Sequence, residues 1–152
     1  MENTMDKFIG RDIKCATNLL KRVHFASPLF KECQNLTGMH GYVLGYLSRE
    51  CSKRDVFQKD LEAVFEMRRS TASEILKLME KNGLIIRQPM ESDGRLKKIV
   101  LTDKAKEFAR NVEKEFQLTE SKIVEGISPE EMAAFSATLD KIKANMLGLL
   151  EK

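Results

Sequence analysis

Cysteine and histidine, the side chains most used as nucleophiles, general bases near neutral pH and metal ligands, are few in this sequence and stand at spacings that suit none of these roles. The three cysteines, Cys15, Cys33 and Cys51, are odd in number and far apart, fitting neither a disulfide framework nor the short intervals between zinc ligands. A reducing cytoplasmic compartment is expected. The two histidines, His24 and His40, are well separated and have no evident ligand set, so no metal is assigned. Gly-rich phosphate loops, H-E-x-x-H and G-x-S-x-G are absent from the sequence. An enzyme would need a general base or a nucleophile with its partners, and these residues supply no such constellation. The chain is read as a non-enzyme that needs no cofactor.

Charge is the more informative chemistry. The net charge of +3 over 152 residues conceals an uneven distribution: residues 1–52 carry +2, residues 53–110 carry +4 and residues 111–152 carry −3. Phosphate contacts come from Lys and Arg, so a basic middle is the footprint a polyanion-binding segment leaves. Arg68, Arg69, Ser70, Thr71, Ser73 and Lys77 form one group there, and Asp93-Gly94-Arg95 with Lys97 and Lys98 forms a second.

Those groups need elements to hold them. Ala72, Ile75, Leu76 and Met79 define the apolar side of a helix over residues 68–82, ended by Asn82-Gly83, which leaves Ser70, Ser73, Glu74, Lys77 and Lys81 on the opposite side. A shorter helix over Gln58 to Phe65 precedes it, and two short helices this close have helix-turn-helix spacing. Leu84 to Gln88 and Leu96 to Leu101 are β-rich runs flanking Asp93-Gly94, so a hairpin is expected, with Pro89 ending the pairing or at its edge. Short hydroxyl side chains at the start of the longer helix would let it enter a DNA major groove, with Arg68 and Arg69 reaching phosphate or guanine edges and Lys77 a phosphate. Alternatively Ser70-Thr71 caps the helix and the lysines are simply solvated. A hairpin-tip arginine such as Arg95 gains from the strong negative potential of a narrow minor groove. Glu74 fits DNA only by accepting from a cytosine amine or by pairing with a nearby Arg or Lys.

The flanks are helical. Ile9, Ile13, Ala16, Leu20 and Val23 stripe a first helix that should reach Pro28, or Cys33 if Pro28 only bends it. A second helix opens at Thr37 or Gly38 and carries Tyr42, Val43, Tyr46 and Leu47. Thr102 can cap a long helix with Ala105, Phe108, Val112, Phe116, Thr119 and Ile123 along one side. Ser128-Pro129-Glu130-Glu131 starts the last helix, whose seam is Met132, Phe135, Leu139, Ile142, Met146 and Leu149. The fold class is mainly α with a small β-hairpin wing: a winged helix-turn-helix over about 54–110, its wing at 84–101, within a single domain spanning 1–152. Helical ends flank it at about 1–36 and 111–152. Nothing in the N-terminal segment reads as a signal peptide or membrane span.

The stretch RRSTASEILKLMEKNGLIIRQPMESDGRLKKIVLTDKA resembles the corresponding region of the multiple antibiotic resistance regulator (MarR) family: recognition helix, K-N-G-L-I exit, a wing with Asp-x-Arg, and Leu-Thr entering the next helix. The resemblance implies a homodimeric transcription regulator, in the manner of a ligand-responsive repressor, binding a pseudo-palindromic duplex operator. It implies that Asp93 orients Arg95, and that Ile9, Ile13, Leu139, Ile142, Met146 and Leu149 serve dimerisation. It also implies an effector pocket for a small aromatic or phenolic ligand, which His24, Phe25, Phe30, His40, Tyr42 and Tyr46 could line. Cys15 occupies a position similar to the reactive cysteine of the hydroperoxide-sensing branch. The supporting tyrosine of that branch is replaced by the run Thr37-Gly38-Met39-His40, with the first tyrosine only at Tyr42, so Cys15 is read as a buried, inert thiol rather than a redox sensor. An interaction module that keeps the winged fold without binding DNA is the further alternative; basic groups on both recognition helix and wing argue against it.

Overall fold

The computed structural model describes residues 8–31, 33 and 35–151, the side chains of Phe25 and Lys31 excepted. The order is α1 (Ile9–Phe25), a 3-10 turn (Pro28–Lys31), α2 (Gly38–Glu50), α3 (Gln58–Val64), α4 (Arg69–Lys81), β1 (Ile85–Pro89), β2 (Lys97–Leu101), α5 (Asp103–Ile123) and α6 (Pro129–Leu150). The chain divides into two compact units, Met1–Glu115 and Phe116–Lys152, with α5 running through the division.

The core of the first unit is made where α2, α3, α4, the hairpin and the first half of α5 meet. Val43, Leu44 and Leu47 of α2, Leu61 of α3 and Leu76 and Met79 of α4 are buried, with Ile85, Ile99, Ala105 and Val112 closing the other side. The four positions that periodicity assigns to the inner side of α4, Ala72, Ile75, Leu76 and Met79, are all buried. Gly83 follows the helix at φ +68°, the left-handed geometry that an L side chain rarely adopts, and lets the chain turn into β1. The Thr102 hydroxyl then joins two elements: it donates to the Gly83 carbonyl at 2.7 Å and accepts the Ala105 N–H at 3.2 Å, capping α5.

Several boundaries differ from the sequence expectation, each for a local reason. Helix α1 stops at Phe25 instead of reaching Pro28 or Cys33, because residues before a proline are steered away from helical backbone; a separate 3-10 turn begins at Pro28. Both strands start one residue later than expected. The Leu84 N–H is taken by the Met79 carbonyl at the helix exit, and the Leu96 N–H by the Asp93 carbonyl in the turn, so neither residue begins the ladder. The antiparallel register runs from Ile85 opposite Leu101 to Pro89 opposite Lys97, and Pro89 stands at its end.

The outer helices carry apolar residues that their own chain leaves uncovered. Ile9 is 54% exposed, Ile13 is half-buried and Val23 is exposed. Cys15 is exposed too, contrary to the buried thiol expected, because it lies on a stretch of α1 that faces solvent in the single chain. In the second unit, Ser128 caps α6 as its sequence requires: its hydroxyl accepts the Glu131 N–H at 3.2 Å and the Glu131 carboxylate accepts the Ser128 N–H at 2.8 Å. No residue of α6 is buried; Phe135 is 58% and Leu149 70% exposed. Among the described residues, no helix is long and apolar enough to cross a membrane.

Candidate nucleic-acid interface

The helix-turn-helix is built from two short helices pinned at their starts. The Asp60 carboxylate accepts the Phe57 N–H at 2.7 Å and fixes the first turn of α3. Gln58 reaches across: its amide donates to Glu62 at 3.0 Å and to the Arg69 carbonyl at 3.2 Å, joining the first residue of α3 to the first of α4. Between the helices Glu66 adopts φ 49°, which makes the connection tight. Arg68 is the N-cap of α4, with extended backbone, so helical geometry begins at Arg69. Ser70 and Thr71 therefore sit inside the first turn and do not cap it.

The outer side of α4 presents Ser70, Thr71, Glu74, Lys77 and Lys81 to solvent, with Ser73 half-buried. At its N-terminal end the side chains are small, and the unpaired N–H groups and positive dipole end of the helix point the same way.

The wing tip is shaped by Asp93. Its carboxylate accepts the backbone N–H of Arg95 at 3.0 Å while its carbonyl accepts from Leu96 at 2.9 Å, so Asp93 sets the path of the chain on which Arg95 stands. Between wing and helix-turn-helix lies a groove of about 300 Å³. Phe57, Leu76 and Ile99 give it an apolar floor, and it is lined by the basic side chains of Lys59, Arg69, Arg87, Arg95 and Lys97, of which Arg87 is ion-paired with Glu80. Its one acid, Glu62, receives the Gln58 amide.

Arg69, Arg95 and Lys97, singled out from the sequence, thus converge on one groove from two elements. Lys98 does not join them. Strand alternation turns it to the other face of β2, where its ammonium lies 3.4 Å from Asp55, and residue 98 forms an isolated bridge with Phe57. Beside it the Ile99 N–H reaches the Val56 carbonyl at 2.8 Å, which fastens the wing to the chain leading into α3. Sequence reasoning missed Lys59, Arg87 and Gln58, whose positions depend on neighbours distant in the chain. Only Arg87 left a trace, since antiparallel pairing sets it opposite Ile99.

Ring-bearing residues of α1, the 3-10 turn and the start of α2 form a separate set, with His24, Phe30 and His40 buried and Tyr42 half-buried. His24 is 5% exposed and packs edge-on against Tyr42, the ring centroids 5.3 Å apart, with Nε2 3.5 Å from the tyrosine hydroxyl. Gly38 lies so close beneath His24 that any side chain there would overlap the imidazole. His40 Nδ1 accepts the Thr37 N–H at 3.0 Å and so holds the first turn of α2; its Nε2 is buried without a partner among the described residues. Burial pushes the His40 pKa down. Phe30 is buried edge-on to Phe108 at 6.2 Å. Tyr46, one turn after Tyr42 on α2, accepts from Arg54 at 2.8 Å and packs edge-on to Phe65 at 5.9 Å. The Phe25 side chain lies outside the described residues.

The MarR family's model matches residues 34–96, the segment that holds α2, the helix-turn-helix and the first hairpin strand with the turn after it. Solved structures extend the likeness over most of the chain. The transcription regulator MarR from Oenococcus oeni PSU-1 is 29% identical at a TM-score of 0.73, the match covering 90% of this chain and 99% of that one. A Listeria monocytogenes protein of MarR kind, solved in complex with 26mer DNA, is 26% identical at a TM-score of 0.76, with 92% and 89% covered. MepR of S. aureus, in a complex with DNA, shares the fold at 22% identity and a TM-score of 0.81, with 93% and 99% covered. The recognition of a MarR-type winged helix-turn-helix in the sequence is borne out by both kinds of match.

Proposed function

We propose, from the MarR-type segment and fold, that this chain is a cytoplasmic transcription regulator that binds duplex DNA as a homodimer. Each protomer lays α4 in a major groove and the wing against the neighbouring minor groove, so a two-fold dimer reads a pseudo-palindromic site. The observation that carries the reading is the convergence of Arg69, Arg95 and Lys97 on one groove beside the small-residue face of α4. Arg68, Ser70, Thr71, Ser73 and Lys77 complete the contact surface, and Asp93 holds the backbone of Arg95 at the tip. Lys98, paired with Asp55, serves the wing more than the DNA.

The second protomer covers apolar positions left exposed in one chain, Ile9 on α1 and Met146 and Leu149 on α6, and completes the cover of half-buried Ile13, Leu139 and Ile142. Regulation takes the form of repression, relieved by a small aromatic or phenolic effector held near the rings of His24, Phe30, His40 and Tyr42. The deciding experiment for the wing is Arg95→Ala. Specific DNA binding should weaken by about 1–3 kcal/mol, and unchanged affinity removes the wing from the mechanism.

A second reading, a regulator that senses oxidants through a thiol, has the exposure of Cys15 in its favour. DNA binding that peroxide abolishes in the parent but not in Cys15→Ser would establish it, and peroxide-insensitive binding removes it.

A further inference from the structure

Helix α4 carries two acids in opposite circumstances. Glu80 is engaged by the Arg87 guanidinium at 2.7 and 3.1 Å, which neutralises it. Glu74 lies on the exposed side of the helix, opposite buried Ala72, Ile75 and Met79, and has no hydrogen bond or ion pair among the described residues. Lys77, one turn on, makes no pair with it although both are exposed. Ser70 and Ser73, its neighbours on the same side, are short, so the Glu74 carboxylate stands beyond them.

A carboxylate brought against DNA loses hydration and approaches a field of phosphates. Among the described residues no protein cation is paired with it, which leaves the DNA to supply the donor. In the major groove guanine offers only acceptors, and thymine an acceptor and a methyl group. Adenine offers an amine beside N7, an acceptor that repels the second carboxylate oxygen. Cytosine N4 offers a donor without that neighbour. Resting on the DNA-binding reading above, we propose that Glu74 is a specificity-determining residue: it accepts a hydrogen bond from cytosine N4 and selects a C·G pair at one position of each half-site. The acid thereby acts as a filter, because guanine and thymine offer it no donor and adenine sets an acceptor beside the one it offers.

The test is selection from a pool of duplexes with a randomised core, run in parallel for the parent, Glu74→Ala and Glu74→Gln. Ala and Gln are good helix formers at an exposed position, so α4 is preserved, which far-ultraviolet circular dichroism checks. The parent should enrich cytosine at one position per half-site by about tenfold or more over the other bases. Glu74→Ala should lose that preference while the rest of the motif stays, and Glu74→Gln should turn it toward adenine, whose N6 and N7 match an amide. An unchanged motif in Glu74→Ala contradicts this proposal alone. A parent that enriches no motif contradicts the DNA-binding reading beneath it.

Discussion

The Arg87 guanidinium meets the Glu80 carboxylate at 2.7 Å through Nη2 and at 3.1 Å through Nε, and this pair ties the first wing strand to the last turn of α4. The hydrogen bond from Arg87 holds the Glu80 carboxyl below the ordinary carboxylate range. A group whose pKa is depressed on folding stabilises the fold above its unfolded pKa and loses that contribution as pH falls through the folded value. The pair is partly exposed, so its contribution is about 0.2–1 kcal/mol. Urea unfolding of the parent and of Glu80→Gln should therefore differ at neutral pH, with the difference shrinking as pH falls below the ordinary carboxylate range. A gap that persists in acid would assign the effect to something other than this pair.

His40 gives a second pH dependence, at milder pH. Its Nδ1 accepts the Thr37 N–H, a bond only the unprotonated nitrogen makes, and burial lowers its pKa. The unfolded state then binds the proton more readily, so stability is full above the unfolded pKa of about 6.5 and declines as pH falls below it toward the folded value. Replacing His40 by Asn, whose oxygen can still accept at the start of a helix, should remove that slope between about pH 7.5 and 5. An identical slope in the variant would place the titration elsewhere.

Lys97 and Lys98 are adjacent in sequence and face opposite ways. Lys97→Ala should lower the salt dependence of DNA binding by about one counterion-release unit, whereas Lys98→Ala should leave that slope unchanged and loosen the wing by losing Asp55. Equal slope changes for both would contradict the division of roles.

The exposed seam of α6 bears on assembly. Charging it with Met146→Asp and Leu149→Asp should shift the protein to monomer in sedimentation equilibrium, since a carboxylate is costly in a covered apolar seam. A dimer that survives both charges takes α6 out of the interface.

The parts legible in the sequence are those governed by neighbours within a few positions. The cap at Ser128, the inner side of α4 and the turn at Gly83 follow from periodicity and backbone geometry, and all are present. Pairing across elements was not legible. Gln58 gripping the Arg69 carbonyl, Arg87 holding Glu80 and Lys98 turning to Asp55 each depend on how separate elements pack. The same limit governs Cys15, whose burial depends on what covers α1, and Tyr46, which looked like one of the junction rings but packs on Phe65 and Arg54.

The most direct test is an equilibrium titration of the purified protein on duplex DNA from the region upstream of its own coding sequence. It is run at several salt concentrations against unrelated duplex as competitor. The DNA-binding account predicts saturable, competitor-resistant binding with two protomers per site and a steep loss of affinity as salt rises. Binding that shows no preference for any duplex over the competitor, or that ignores salt, would contradict it.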